Sequence, residues 1–222
     1  RQKTSVHLVD VSSTALAWSE QRLREFEKAL VVTHQLDYEE GLQTASAHRR
    51  PEDTLLVMFL GSSLGNYDTL SSIELLQRIR NNLRVGDALL LGIDLVKPEE
   101  ELLKAYDDPL GVTAAFNKNL LLRINTELGG NFNLDHFKHR IIWNHAPARI
   151  EMHLVSTKNQ EVLIPLADCK ASFTIGESIW TESSYKFEIQ TIVDLVEKAN
   201  FCSCGQWVDQ EARFALTLFS AS

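Results

Sequence analysis

Two unbroken apolar runs, Asp53–Leu60 (DTLLVMFL) and Ala88–Asp94 (ALLLGID), constrain this chain more than any other feature. Neither alternates polar with apolar residues, so each reads as a strand buried on both faces, the pattern of a parallel sheet covered by helices. Between them, Asp68 is placed to cap a helix whose Ile73, Leu76, Ile79 and Leu83 recur at helical spacing. Upstream, Val6 to Asp10 reads as a short strand. Ser12 and Ser13 supply capping chemistry for a helix marked by Leu16, Leu23, Phe26 and Leu30. A further strand falls near Leu30 to Thr33, and Gln35 to Glu39 reads as a loop or short helix. This alternation predicts an α/β fold with a parallel sheet, and such sheets bind ligands at the carboxyl ends of their strands. Those ends carry Asp10, Asp37, the Gly61-Ser62-Ser63-Leu64-Gly65-Asn66 loop and Asp94. Four polar features on one edge mark a candidate site.

From Lys97 the pattern changes. Pro98 opens a helix with Leu102, Leu103 and Tyr106, and a longer helix runs from about Val112 to Leu128 before Gly129-Gly130 stops it. Arg149–Ser156, Val162–Pro165 and Phe173–Ile175 read as strands, Phe187–Ala199 as a helix, and Phe201–Trp207 with Arg213–Phe219 as a closing strand pair. The stretch 97–187 is too long for a simple crossover. The expected organisation is therefore a core over 1–96, an inserted α+β subdomain over 97–187 that lies over the strand ends, and a helix and strand pair over 188–222 that complete the core.

Composition excludes some partners. With 30 acidic against 22 basic side chains the net charge is −8, which disfavours nucleic acid and anionic membranes, since phosphate contact needs clustered Lys and Arg. No apolar run reaches the roughly 18–20 residues that span a bilayer. Cys169, Cys202 and Cys204 form no ligand pattern, and the last two, adjacent but one on a strand, read as buried thiols. An odd cysteine count fits a reducing, cytoplasmic setting. The histidines, His136, His139 and His145 among them, show no metal spacing and read as structural or exposed, so no metal is expected.

The chemistry at the strand ends is that of a nucleoside site. A carboxylate such as Asp10 accepts hydrogen bonds from both ribose hydroxyls, and helix capping is its plain alternative. Asp37 suits an adenine amino group, with Leu36 and Tyr38 flanking the ring, or else a turn. The loop containing Gly61 and Ser62 permits close backbone approach of a ligand. Neither GxGxxG nor GxxxxGK[ST] occurs, so a phosphate-cradling reading has no support.

A set of strings then becomes specific. Val9-Asp10-Val11-Ser12, Phe59-Leu60-Gly61-Ser62-Ser63-Leu64-Gly65-Asn66, Asp94-Leu95-Val96-Lys97, Ala105-Tyr106-Asp107-Asp108, Gly111–Asn117, Arg149-Ile150-Glu151-Met152 and Thr181–Phe187 occur in order along most of the chain. Together they resemble the histidine-specific, S-adenosylmethionine-dependent methyltransferases of ergothioneine biosynthesis, which trimethylate the α-amino group of L-histidine to hercynine. The resemblance implies a Rossmann-like class I methyltransferase sheet, here lacking its first strand, with the inserted α+β part as substrate-binding subdomain. It implies S-adenosylmethionine as cofactor, held by Asp10, Asp37, Tyr38, Gly61 and Ser62. It places Asn66 and Tyr106 on the substrate's carboxylate and amino end, Glu182 and Ser184 on the imidazole, and Phe116 and Met152 as walls of the ring. Ser183 and Tyr185 depart from the family pattern but leave the Glu-x-Ser pair intact. A coupled or fused sulfur-transferring enzyme is the implied partner.

No general base is assigned, because a neutral amine and a sulfonium methyl donor need alignment more than deprotonation. Arg1, followed within a few residues by a strand, reads as a cut inside a domain, with the family's first strand and glycine-rich loop expected ahead of it. Two rivals stay open: a methyltransferase of a tryptophan-derived amine in the same family, and a non-catalytic regulatory or interaction module with this fold.

Overall fold

A computed structural model describes residues 4–222, and Arg1, on which the reading of a cut domain rests, lies outside the described residues. The first part runs β1 (Thr4–Val9), α1 (Ser13–Leu23), β2 (Ala29–His34), α2 (Tyr38–Ala47), β3 (Leu56–Phe59), α3 (Thr69–Asn81) and β4 (Ala88–Asp94). Then follow α4 (Glu99–Tyr106), α5 (Val112–Leu128), β5 (Phe137–Asn144), β6 (Arg149–Ser156), β7 (Gln160–Ile164), β8 (Cys169–Phe173) and β9 (Ser178–Tyr185). The chain closes with α6 (Ile189–Glu197), β10 (Phe201–Asp209) and β11 (Phe214–Ala221).

The parallel strands fall into two ladders, β1 with β2 and β3 with β4, while β11 runs antiparallel to β4 in a sheet of order β10-β11-β4-β3. The central strand carries the core. Leu89, Leu91 and Ile93 of β4 are fully buried against Leu75, Leu76 and Ile79 of α3, with Ile192 and Val196 of α6 and Phe219 of β11 in the same cluster. Each such side chain contributes about 1.5–3 kcal/mol by leaving water. The capping expected from sequence is present: Ser12 Oγ accepts from Ala15 N at 3.2 Å, and Asp68 Oδ1 from Ser71 N at 2.8 Å. Asp87, 2% exposed, ties together the segments that lead into β3 and β4, accepting from Leu55 N at 2.8 Å and Arg84 N at 2.6 Å, and pairing with Arg49.

Residues beyond β4 build a separate three-stranded antiparallel sheet, β5-β6-β9, and a β7–β8 hairpin. On one face of that sheet α4 packs through Leu102 and Tyr106 onto Ile150 and Met152, and Leu121 of α5 joins Phe132, Phe137, Leu154 and Val162.

Several expectations are corrected. The Asp53–Leu60 run is not buried on both faces: Leu56, Met58 and Leu60 are 49, 58 and 42% exposed, because β3 is an edge strand whose outer face nothing covers among the described residues. Gln35–Glu39 leads into a full helix, α2. Strands β5 and β9 have no counterpart in the sequence reading. The strand expected at Phe173–Ile175 is instead β8, ending at Phe173, where Thr174 turns by donating to Glu177 Oε2. Helix α6 starts at Ile189, since Phe187 bridges to Leu95. All three cysteines are exposed. Cys202 and Cys204 lie on the edge strand β10, where a register shift between Ser203 and Gly205 breaks the alternation that would bury one face. Among the described residues no helix is long and apolar enough to cross a membrane.

Candidate active site

The candidate site starts from the loop after β3. Gly61 has φ +81°, and a Cβ there would meet nothing within 4 Å. Ser62 also holds a left-handed conformation, φ 61°, which costs about 1–3 kcal/mol for a non-glycine residue. Two hydrogen bonds hold it there: its N–H donates to Gly92 O at 3.1 Å, and its Oγ accepts from Asp94 N at 2.9 Å. The loop is thereby locked onto the carboxyl end of β4, and the 3₁₀ turn Ser63–Asn66 carries Asn66 forward.

From the other side comes β9. Glu182 and Ser184 lie opposite Met152 and Ile150 of β6, so all four occupy the sheet face on which α4 rests. At the end of α4, the Tyr106 carbonyl accepts from His139 Nε2 at 2.9 Å, while Asn117 donates to the other ring nitrogen at 2.9 Å. The Tyr106 hydroxyl lies 2.7 Å from Ser184 Oγ. Lys186, two residues after Ser184, reaches the same point with its Nζ 2.8 Å from the Tyr106 hydroxyl and 2.9 Å from Ser184 Oγ. Its third partner is Asp94 Oδ2 at 2.9 Å, while Asp94 Oδ1 pairs with Lys97 at 2.6 Å.

These groups enclose a cavity of about 370 Å³ lined by Gly61, Ser62, Asn66, Asp94, Tyr106, Glu182, Ser184 and Lys186, among others. A second recess of about 330 Å³ shares Asn66 and Glu182 and continues to Trp180. Burial pushes the Glu182 carboxyl above its ordinary range, and among the described residues no donor reaches that carboxylate. The opposite face of the sheet is closed by a network of its own. Burial opposes the charge on Glu151, but its bonds with Arg149, Asn144 and His153 outweigh that and hold it below the usual carboxylate range. Arg149 also lies over the Trp180 and Tyr185 rings, 4.5 and 5.2 Å from their centroids.

Six of the residues named from sequence thus meet at one cavity: Gly61, Ser62, Asn66, Tyr106, Glu182 and Ser184. Phe116 and Met152 are not among the residues that line it. Phe116 is 66% exposed on α5, and Met152 is 4% exposed in the packing with Leu102 and Ile150, because α4 covers that part of the sheet. Asp10, Asp37 and Tyr38 lie apart, at the carboxyl ends of β1 and β2. Asp10 Oδ1 accepts from Ser12 N at 2.8 Å, and Asp37 Oδ1 caps α2 by accepting from Glu39 N and Glu40 N at 3.0 and 2.9 Å. The second oxygen of each has no partner among the described residues. Tyr38 stands edge-on to Phe59, ring centroids 5.7 Å apart. The sequence reading missed Lys97 and Lys186. A signal was present, since Glu182, Ser184 and Lys186 recur at the period of a strand face.

A family model described as histidine-specific methyltransferase, SAM-dependent, matches residues 2–221. The chain belongs to this family. Among its relatives, the histidine N-alpha-methyltransferase of Mycolicibacterium smegmatis is 42% identical over 163 residues, which are 73% of this chain and 51% of that protein. The histidine N-alpha-methyltransferase of Mycobacterium tuberculosis is 41% identical over the same shares. Ergothioneine biosynthesis protein 1 of Schizosaccharomyces pombe is 28% identical over 166 residues, 74% of this chain and 21% of that protein. The chain therefore spans about half the length of its two bacterial relatives. As a member of the histidine-specific methyltransferase family, it carries the Glu-x-Ser pair and the Gly61–Asn66 loop on opposite walls of one cavity.

Proposed function

We propose that this chain carries the amino-acid site and part of the cofactor site of an S-adenosylmethionine-dependent N-methyltransferase that converts L-histidine to its α-N-trimethyl betaine, hercynine, in ergothioneine biosynthesis. The observation that carries this reading is Glu182, a carboxylate without a donor, raised by burial and facing the same cavity as the Ser184 and Tyr106 hydroxyls. A neutral imidazole offers one N–H and one acceptor nitrogen, which an ionised carboxylate and a hydroxyl satisfy together. Asn66 and Tyr106 then meet the carboxylate and amino end.

The residues at the strand ends suit the cofactor. The free oxygens of Asp10 and Asp37 suit ribose hydroxyls and an adenine amino group, and the open space beside Gly61 admits a ligand against the backbone. S-adenosylmethionine, when bound, supplies a methyl group on a sulfonium that is already a good leaving group. The protein's part is alignment of the amine lone pair with that methyl, a proximity effect worth up to about 7–11 kcal/mol. A cationic sulfonium beside the α-amine in a closed pocket favours the neutral, nucleophilic form of the amine. The inserted part, residues 97–187, acts as the substrate-binding subdomain. The three unpaired cysteines suit a reducing cytoplasm, and a sulfur-transferring enzyme, fused or separate, is the partner for the next step.

Calorimetric titration tests these roles. Glu182→Ala weakens histidine binding about 100-fold or more while S-adenosylhomocysteine binding is kept, and Asp10→Ala does the reverse. Unchanged histidine affinity in Glu182→Ala contradicts the assignment.

A further inference from the structure

Lys186 occupies the junction of α4, β4 and β9 with its side chain only 1% exposed. An ammonium has three donors and no acceptor. All three face oxygen here: Asp94 Oδ2, the Tyr106 hydroxyl and Ser184 Oγ, at 2.9, 2.8 and 2.9 Å. Both hydroxyl oxygens therefore accept from Lys186, and they also lie 2.7 Å from each other. Only one of the two hydroxyl hydrogens fits between them. If Tyr106 donates to Ser184, both lone pairs of Ser184 Oγ are filled and its own hydrogen is turned outward. If Ser184 donates, the Tyr106 oxygen is filled and its hydrogen is turned outward. In both arrangements the hydroxyl left for the cavity is a donor.

We infer that Lys186 is a positioning residue that locks the Tyr106–Ser184 pair into a hydrogen-bond donor towards the cavity, and so selects substrates that present an acceptor there and an N–H to Glu182. This rests on the reading of the cavity as the amino-acid pocket. Asp94, the last residue of the buried strand β4, holds the ammonium in place and is itself shared with Lys97. Without the ammonium, each hydroxyl is free to turn and to act as donor or acceptor, and the demand for an acceptor is lost. The imidazole of histidine meets both demands. The indole of tryptophan has an N–H and no acceptor nitrogen, so it meets only the demand of Glu182.

The test compares L-histidine and L-tryptophan as ligands of the intact protein, by calorimetry in the presence of S-adenosylhomocysteine. Lys186→Met weakens histidine about 10- to 100-fold, the effect of losing a charge-assisted contact, while tryptophan affinity does not fall. The double variant Lys186→Met/Ser184→Ala loses little beyond the larger single loss, because both changes act through the same Tyr106–Ser184 hydroxyl pair. Removing the ammonium alone leaves Asp94 with less counter-charge, so Asp94→Asn/Lys186→Met, which removes both charges, is read in the same way if the single variant fails to fold. Equal losses for both amino acids, or losses that multiply in the double variant, overturn the role of Lys186. Failure of the wild-type protein to bind or methylate histidine overturns the amino-acid reading instead.

Discussion

Gly65 and Tyr185 approach so closely that a Cβ on Gly65 would stand 2.8 Å from the Tyr185 carbonyl oxygen. No side chain can give way there, because the obstacle is backbone. The contact fixes the turn that carries Asn66 against the strand that carries Glu182 and Ser184, and so sets the width of the cavity. Gly65→Ala is expected to push the two walls apart. A misplacement of about 1 Å can cost about 100-fold in rate, so histidine turnover falls by that order while circular dichroism still reports a folded protein. Turnover within threefold of wild type counts against this account of the contact.

Glu182 gives a prediction with a definite sign. Burial raises its carboxyl, so the folded pKa lies above the unfolded one. The unfolded chain releases this proton first, and the ionised carboxylate therefore costs the folded state stability above the folded pKa and nothing below the unfolded pKa. Glu182→Gln should raise Tm slightly at pH 7, by about 1–2 °C, and leave it unchanged near pH 4, while weakening histidine binding. Calorimetric melts at the two pH values check this, and a lower Tm at pH 7 contradicts it.

Asp87 is the opposite case. Burial opposes its charge, but Arg49 and the N–H groups of Leu55 and Arg84 prevail and hold its carboxyl below the usual range. Its contribution is present above the unfolded pKa and is lost as pH falls through the lower folded value. Asp87→Asn leaves Arg49 buried without its counter-ion and should cost about 3 kcal/mol or more in urea unfolding at pH 7. A loss under about 1 kcal/mol would show that the Arg49 pair does not hold β3 and β4 together.

The legible parts of this fold are those whose pattern reports burial directly. The Ala88–Asp94 run named β4, and of the strand-end acids Asp94 lines the cavity while Asp10 and Asp37 lie apart from it. The run at β3 misled, since apolar composition records an affinity for cover and not the cover itself: Met58 is 58% exposed. Strands β5 and β9 were illegible because their residues serve polar networks as well as a core. In SIWTESSY the alternation is set by a cavity on one face and by Arg149 on the other, and a register shift between Met152 and His153 disturbs the pairing. Glu182 and Ser184 were reachable from sequence through the resemblance, whereas the burial of Met152 depends on where α4 packs, which no local pattern records. Lys186 escaped notice because its meaning lies in the three oxygens around it, which only the packing of α4, β4 and β9 assembles.

The most direct test of the central claim is mass spectrometry of the intact protein incubated with L-histidine and S-adenosylmethionine. The account predicts stepwise methylation confined to the α-nitrogen and ending at the trimethyl betaine, with L-tryptophan consumed far more slowly. A folded protein that binds S-adenosylhomocysteine yet leaves histidine unmodified, or that methylates an imidazole nitrogen, contradicts it.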